Sequence, residues 1–155
     1  MTTNTAVTCT VPVQNLRASP YLLAWGSSVY ARVLAINLYG TSAPSASANG
    51  AVIITYPDAP TIPVEIYSDR SASTLGIMWT AGLANGGSPV IDYEISAAIL
   101  PAAFVVLSSN NLLTSYKAIG LTSGSTYTFR VRARNSFGYS QYSPTMNLLA
   151  AFVPN

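Results

Sequence analysis

The stretch RVLAINLYG at residues 32–40 returns as RVRARNSFG at residues 130–138, an offset of 98 positions with no gap needed between the copies. At the same offset Leu23, Gly26, Ser27, Arg32, Val33, Ala35, Asn37, Gly40, Ser42, Ser45 and Asn49 are answered by Leu121, Gly124, Ser125, Arg130, Val131, Ala133, Asn135, Gly138, Ser140, Ser143 and Asn147. Chance does not produce such agreement over so short a stretch, and self-similarity at a fixed period marks a repeated structural unit. A period of 98 is the length of one small β-sandwich, so the 155 residues are expected to hold one whole unit and part of a preceding one.

The local pattern is one of strands and turns. Apolar and polar residues alternate at Val7, Cys9, Val11 and Val13, at Leu75, Ile77 and Trp79, at Tyr93 and Ile95, and at Tyr127, Phe129, Val131 and Ala133. Between such runs lie turn clusters, TSAPSASANG (41–50), ANGGSP (84–89) and LTSGS (121–125), whose Gly, Asn and Pro supply backbone angles that strands avoid. AILPAAFVVL (98–107) has a helical composition, but Pro101 and the β-branched flank favour a strand. Many short strands and no convincing helix predict an all-β sandwich.

Charge narrows the partners. Only 8% of residues are charged and the net charge is +2, against about 25% charged in a typical domain. That is too weak and too scattered for a nucleic-acid groove. No run reaches the roughly 18–20 apolar residues of a membrane span. The opening MTTNTAVTCT lacks the basic start and apolar stretch of a secretory signal, which fits either a mature chain or a segment of a longer one. Polarity comes instead from 19 Ser and 15 Thr, a composition expected of a surface that carries sugar or packs against copies of itself, with a plain Ser/Thr-rich β protein as the alternative. No Asn stands two residues before a Ser or Thr, so any glycan is expected to be O-linked, on Thr2, Thr3, Thr5, Thr8, Thr10 or the 41–47 loop with Ser45 and Ser47. Cys9, the single cysteine, is expected as a buried thiol, the alternatives being an intermolecular bridge or a partner upstream of Met1.

The residue inventory argues against chemistry. There is no histidine, which removes the usual imidazole base and the commonest metal ligand, and one cysteine cannot build a thiolate zinc site. The carboxylates are Asp58, Glu65, Asp69, Asp92 and Glu94. Asp92 and Glu94 lie two apart on one strand face, about 7 Å by the strand rise, but beside three arginines both are expected to stay ionised, whereas a glycosidase acid needs a raised pKa. NGGS (85–88) opens no helix and carries no lysine, so it reads as a hairpin loop and not a phosphate cradle. No catalytic, metal or cofactor residue is assigned. Tyr139 and Tyr142 are the exposed aromatic pair to consider for sugar stacking, with packing between adjacent domains the favoured role.

PDAPTIPVEIYSDRSASTLGIMWTAGLANGGSPVIDYEISAAI, followed by YKAIGLTSGSTYTFRVRARNSFGYSQYS, resembles the fibronectin type III domain throughout. The resemblance rests on the proline-rich lead-in at Pro57 and Pro60, Trp79, the NGGSPV turn before DYEI, Leu121 six residues before Tyr127, and the RVRARNSFGYSQYS run. It implies an immunoglobulin-like Greek-key β-sandwich of seven strands over residues 57–155, with Trp79 in the core and a Tyr127 hydroxyl bonded back to the backbone. Residues 1–56 resemble the back half of the same domain, in tandem with the complete copy. Val29 stands where Tyr127 does, so no such tyrosine corner is expected there.

A back half alone lacks its opening strands and leaves an edge and a face to be covered. In the complete copy Phe129, Val131 and Ala133 are expected to point inward and Arg130, Arg132 and Arg134 outward, where Asp92 and Glu94 on the neighbouring strand would pair with them as a solvated ladder. In the first copy the outward row reads Arg32, Leu34 and Ile36, with Leu38 next. An apolar row on a face that should be wet marks Leu34, Ile36 and Leu38 as a candidate interface. The expected function is a non-enzymatic repeat unit of an extracellular filament or surface coat. Its partners would be other copies or neighbouring fibronectin-like domains, with O-linked glycans possible and no nucleic acid. The alternative is an adhesion or ligand-binding module of a long cell-surface receptor.

Overall fold

The computed structural model describes residues 8–152. The chain divides into two compact units, Met1–Ile54 and Thr55–Asn155.

The first unit is slight. It opens with a short helix α1, Val13–Arg17, where the alternation through Val11 and Val13 predicted a strand; Val7 lies outside the described residues. Pro12 sits at the helix start with φ −58° and has no N–H to give a sheet, and the residues after it, Gln14 to Arg17, include good helix formers. Cys9, expected as a buried thiol, is exposed: among the described residues the segment from Thr8 to Pro12 that carries it is exposed throughout. Beyond the helix β1, Ser28–Ala31, β2, Ile36–Asn37, β3, Gly40–Thr41, and β4, Ala48–Val52, form one irregular hairpin, β1 pairing with β4 and β2 with β3.

The second unit is a sandwich of seven strands: β5 Val64–Ile66, β6 Leu75–Met78, β7 Asp92–Ala98, β8 Val105–Asn111, β9 Ser115–Ala118, β10 Thr126–Arg134 and β11 Met146–Leu149. One sheet runs β5-β6-β9 and the other β11-β10-β7-β8. AILPAAFVVL contributes the end of β7, a turn in which Ala102 N–H donates to Ile99 O, and the start of β8. Period-two alternation places Leu75, Ile77, Ile95, Phe129 and Val131 in the core with no exposure, joined by Trp79, Tyr93, Leu148 and Ala150. Trp79 and Tyr93 meet edge to face at 5.4 Å between centroids. Tyr127 closes the corner, its hydroxyl accepting the Thr122 N–H at 2.9 Å.

The repeat is preserved bond by bond. In the second unit the Val131 N–H donates to Ser143 Oγ and the Ala133 N–H to Ser140 Oγ, while Asn135 Oδ1 accepts from Phe137 and Gly138 N–H. In the first, Val33 N–H donates to Ser45 Oγ, Ala35 N–H to Ser42 Oγ, and Asn37 Oδ1 accepts from Tyr39 and Gly40 N–H. The repeated Asn, Gly and Ser residues are thus the ones that build the hairpin turn. One difference intrudes: Val29 pairs with Ala51 and Tyr30 with Asn49, so Gly50 is an extra, bulged residue that the second copy lacks.

Candidate functional site

The outward face of the β7–β10 pair carries a stack of alternating cations and rings. Register places Arg134 opposite Asp92, Arg132 opposite Glu94 and Arg130 opposite Ser96. Arg132 donates from Nε to Glu94 Oε1 at 3.0 Å and from Nη2 to Oε2 at 2.8 Å, and Arg134 grips Asp92 in the same two-pronged way through Nε, at 2.9 Å, and Nη2. Such paired bonds suit the planar guanidinium. Between the arginines lie the tyrosines of the following segment. Tyr142 is 3.7 Å from the Arg130 guanidinium and 4.8 Å from that of Arg132, Tyr139 is 4.1 Å from Arg132 and 5.3 Å from Arg134, and Phe104 closes the far side of Arg130 at 3.8 Å. Tyr142 also donates its hydroxyl proton to Glu94 Oε1 at 2.8 Å.

Two expectations change here. The ladder is not solvated: Asp92 and Glu94 keep only 3% and 5% of their exposure, because the arginines and tyrosines lie over them. Tyr139 and Tyr142 are bound into this stack, where sequence spacing pointed to sugar stacking or a rim between domains. Their position follows from Ser140 and Ser143, whose hydroxyls pin the segment to β10 and leave Tyr139 and Tyr142, the residue before each, on the arginine row. Burial would raise the Glu94 pKa, but the hydrogen bonds from Arg132 and Tyr142 and the charges of Arg132 and Arg130 outweigh it and hold the carboxyl below the usual range. Glu94 is therefore ionised and saturated with donors, the reverse of what a general acid needs.

In the first unit the corresponding stack is gone. Leu34 and Ile36 replace Arg132 and Arg134, and Thr41 and Pro44 stand where Tyr139 and Tyr142 do. Leu34, Ile36 and Leu38 are 48%, 78% and 78% exposed. The other row is uncovered as well: Val33, whose counterpart Val131 is fully buried, is 71% exposed. β10 is flanked by β11 and β7, whereas among the described residues β1 has only β4 beside it. Arg32 and Leu34 lie on the strandless side, and no backbone hydrogen bond joins them to another described residue.

Of the residues considered for sugar, Thr2, Thr3 and Thr5 lie outside the described residues, while Thr8, Thr10 and Ser47 are exposed. Ser45 is exposed too, but its hydroxyl already accepts from Val33 N–H and donates to Ala46 O. Among the described residues no helix is long and apolar enough to cross a membrane, and no three His, Cys, Asp or Glu side chains cluster as a metal site.

Known structures and families point one way. The fibronectin type III domain profile matches residues 58–148. The chain is similar to domains A168–A170 of titin at 22% identity and TM-score 0.63, over 84% of this chain and 43% of that one. It is similar to the twitchin kinase region of C. elegans at 23% identity and TM-score 0.57, over 63% and 17%. The sixth fibronectin type III domain of human fibronectin type III domain containing protein 3 matches at 24% identity and TM-score 0.54, over 65% of this chain and 92% of that domain. The chain thus spans less than half of the titin fragment and about a sixth of the twitchin region. With the profile covering more than half of its length and the sandwich, core tryptophan and tyrosine corner in place, the chain belongs to the fibronectin type III family.

Proposed function

We propose that this protein is a non-enzymatic structural module, a repeat unit of an extracellular filament or surface coat in which the first unit is a partial fibronectin type III sandwich completed by strands from another molecule. The observation that carries the reading is the hairpin of residues 28–52. It keeps every turn-building bond of its repeat partner, yet its apolar rows at Leu34, Ile36, Leu38 and Val33 are exposed, and among the described residues one edge has no strand beside it. Exposed backbone groups on a strand edge invite pairing with a further strand. The residues that make the equivalent face of the second unit self-sufficient, two arginines and two tyrosines, are those replaced here by Leu, Ile, Thr and Pro.

Purified chain examined by negative-stain electron microscopy at rising concentration tests this. Filaments or regular sheets are expected, and the double replacement Leu34→Ser, Ile36→Ser is expected to abolish them; unchanged assembly in the double variant would remove the interface. A second reading, an adhesion or binding module within a longer multi-domain chain, is favoured by the multi-domain neighbours, of which this chain spans only a part. It predicts a monomer at all concentrations whose hairpin is completed by more of its own polypeptide.

A further inference from the structure

Resting on the reading that the bare hairpin is completed by another copy, we infer that the strand supplied is β8, the outer strand of the second unit's larger sheet. The sandwich has four outer strands, β5 and β9 in one sheet and β11 and β8 in the other. β5 has three residues and includes Glu65, β9 has four and includes Lys117, and β11 has four. β8 has seven, VVLSSNN, with no charge, proline or glycine. Proteins ordinarily protect long edges with charge, proline or a bulge that turns the edge away. β8 does carry an irregular register against β7 on either side of Ser108, and Leu107 O accepts from the Tyr116 hydroxyl, but its opening residues Val105 and Val106 are 65% and 51% exposed, Leu107 is 36% exposed, and exposed Leu112 and Leu113 follow.

The receiving edge has matching chemistry. Beyond Arg32 the segment from Val33 to Tyr39 carries no charge, so a strand bearing Val105, Val106 and Leu107 meets no charged group beside Leu34 and Ile36. Seven residues of strand reach about 23 Å at 3.3 Å per residue, enough to cover the edge from Ala31 to Asn37. In the second unit the strand beside β10 is β7, which brings two carboxylates for two arginines; beside Leu34 and Ile36 carboxylates would be buried unpaired, at high cost. An uncharged strand is the one this edge accepts. Each chain has one receiving edge and one donating edge, different surfaces, so the contact is head-to-tail and has no two-fold closure.

Disulfide trapping tests the assignment. Ile36→Cys and Val106→Cys are made separately in full-length chains carrying Cys9→Ser, mixed in equal amounts and oxidised. The mixed dimer is expected well in excess of the half share that random pairing gives, with residues 36 and 106 in the linked peptide by mass spectrometry. Val106→Lys is expected to abolish assembly while Trp79 fluorescence, read in a Trp25→Phe background, shows the sandwich still folded. Assembly that persists in Val106→Lys, or a mixed dimer at the random share, overturns β8 as the donor; if Leu34→Ser, Ile36→Ser still abolishes that assembly, the completion reading survives the loss. A wild-type chain that never assembles overturns both.

Discussion

Arg132 and Glu94 stand directly opposite one another on β10 and β7, joined by two parallel hydrogen bonds and roofed by Tyr142, whose hydroxyl bonds the same carboxylate. Removing the cation leaves a carboxylate of 5% exposure without its counter-charge. Arg132→Ala is therefore expected to destabilise the second unit by about 2–4 kcal/mol, short of the figure for a fully enclosed pair because the guanidinium edge still meets solvent. Arg132→Met with Glu94→Gln is expected to recover much of that loss. Urea unfolding followed by Trp79 fluorescence, in a Trp25→Phe background, measures both.

The same carboxylate sets a pH response. Its pKa in the folded chain lies below the unfolded value of about 4.3, so in acid the unfolded chain binds the extra proton. The contribution of Glu94 is complete above the unfolded value and is lost as pH falls through the folded one. Stability is expected to be flat from pH 7 to about 5 and to fall below that, more steeply in wild type than in Glu94→Gln. Parallel slopes in the two proteins would contradict the assignment.

Tyr127 and Thr122 tie the corner before β10 through a single bond of 2.9 Å. Tyr127→Phe keeps the ring and removes the acceptor. A loss of about 1 kcal/mol is expected in the same unfolding assay.

Gly86 and Gly120 both have φ +70°, but their surroundings differ. A Cβ at Gly86 would come within 2.3 Å of the Thr55 carbonyl oxygen, while one at Gly120 meets nothing within 4 Å. Gly120→Ala is expected to cost about 1 kcal/mol, the price of a left-handed residue alone. Gly86→Ala, which must also move the extended backbone at Thr55 and Tyr56, is expected to cost about 3 kcal/mol.

Ser143 and Ser45 play one role at two depths. Ser143 Oγ accepts the Val131 N–H in a buried setting, and Ser45 Oγ accepts the Val33 N–H in an exposed one. Ser143→Ala is expected to cost about 2 kcal/mol, since Val131 loses its partner away from water. Ser45→Ala is expected to change little, because water replaces the hydroxyl. Calorimetry of both variants distinguishes the two sites.

The strands of the second unit were legible because their alternation is strong: Leu75, Ile77, Phe129 and Val131 are apolar at every second position, and each is fully buried. The corner at Tyr127 and the core place of Trp79 were legible through family resemblance. The helix Val13–Arg17 was not, since a few alternating apolar residues on either side of Pro12 fit a strand equally well until a partner strand is found to be missing among the described residues. Nor was the stack of Arg130, Tyr142, Arg132, Tyr139 and Arg134. The outward arginines and the carboxylates opposite them could be read from strand period, but rings from the segment after β10 reach them only once Ser140 and Ser143 have bound that segment to β10.

Sequence by itself determined the repeated turn: Asn, Gly and two Ser at set spacings close the same hydrogen bonds in both copies, because those bonds join atoms a few residues apart. Tertiary structure alone decided what each hairpin became. Burial depends on what packs across a strand's face, so Val131 is enclosed between β10's own sheet and the facing sheet of β5, β6 and β9, while Val33, the same residue in the same turn, stands open to whatever covers it.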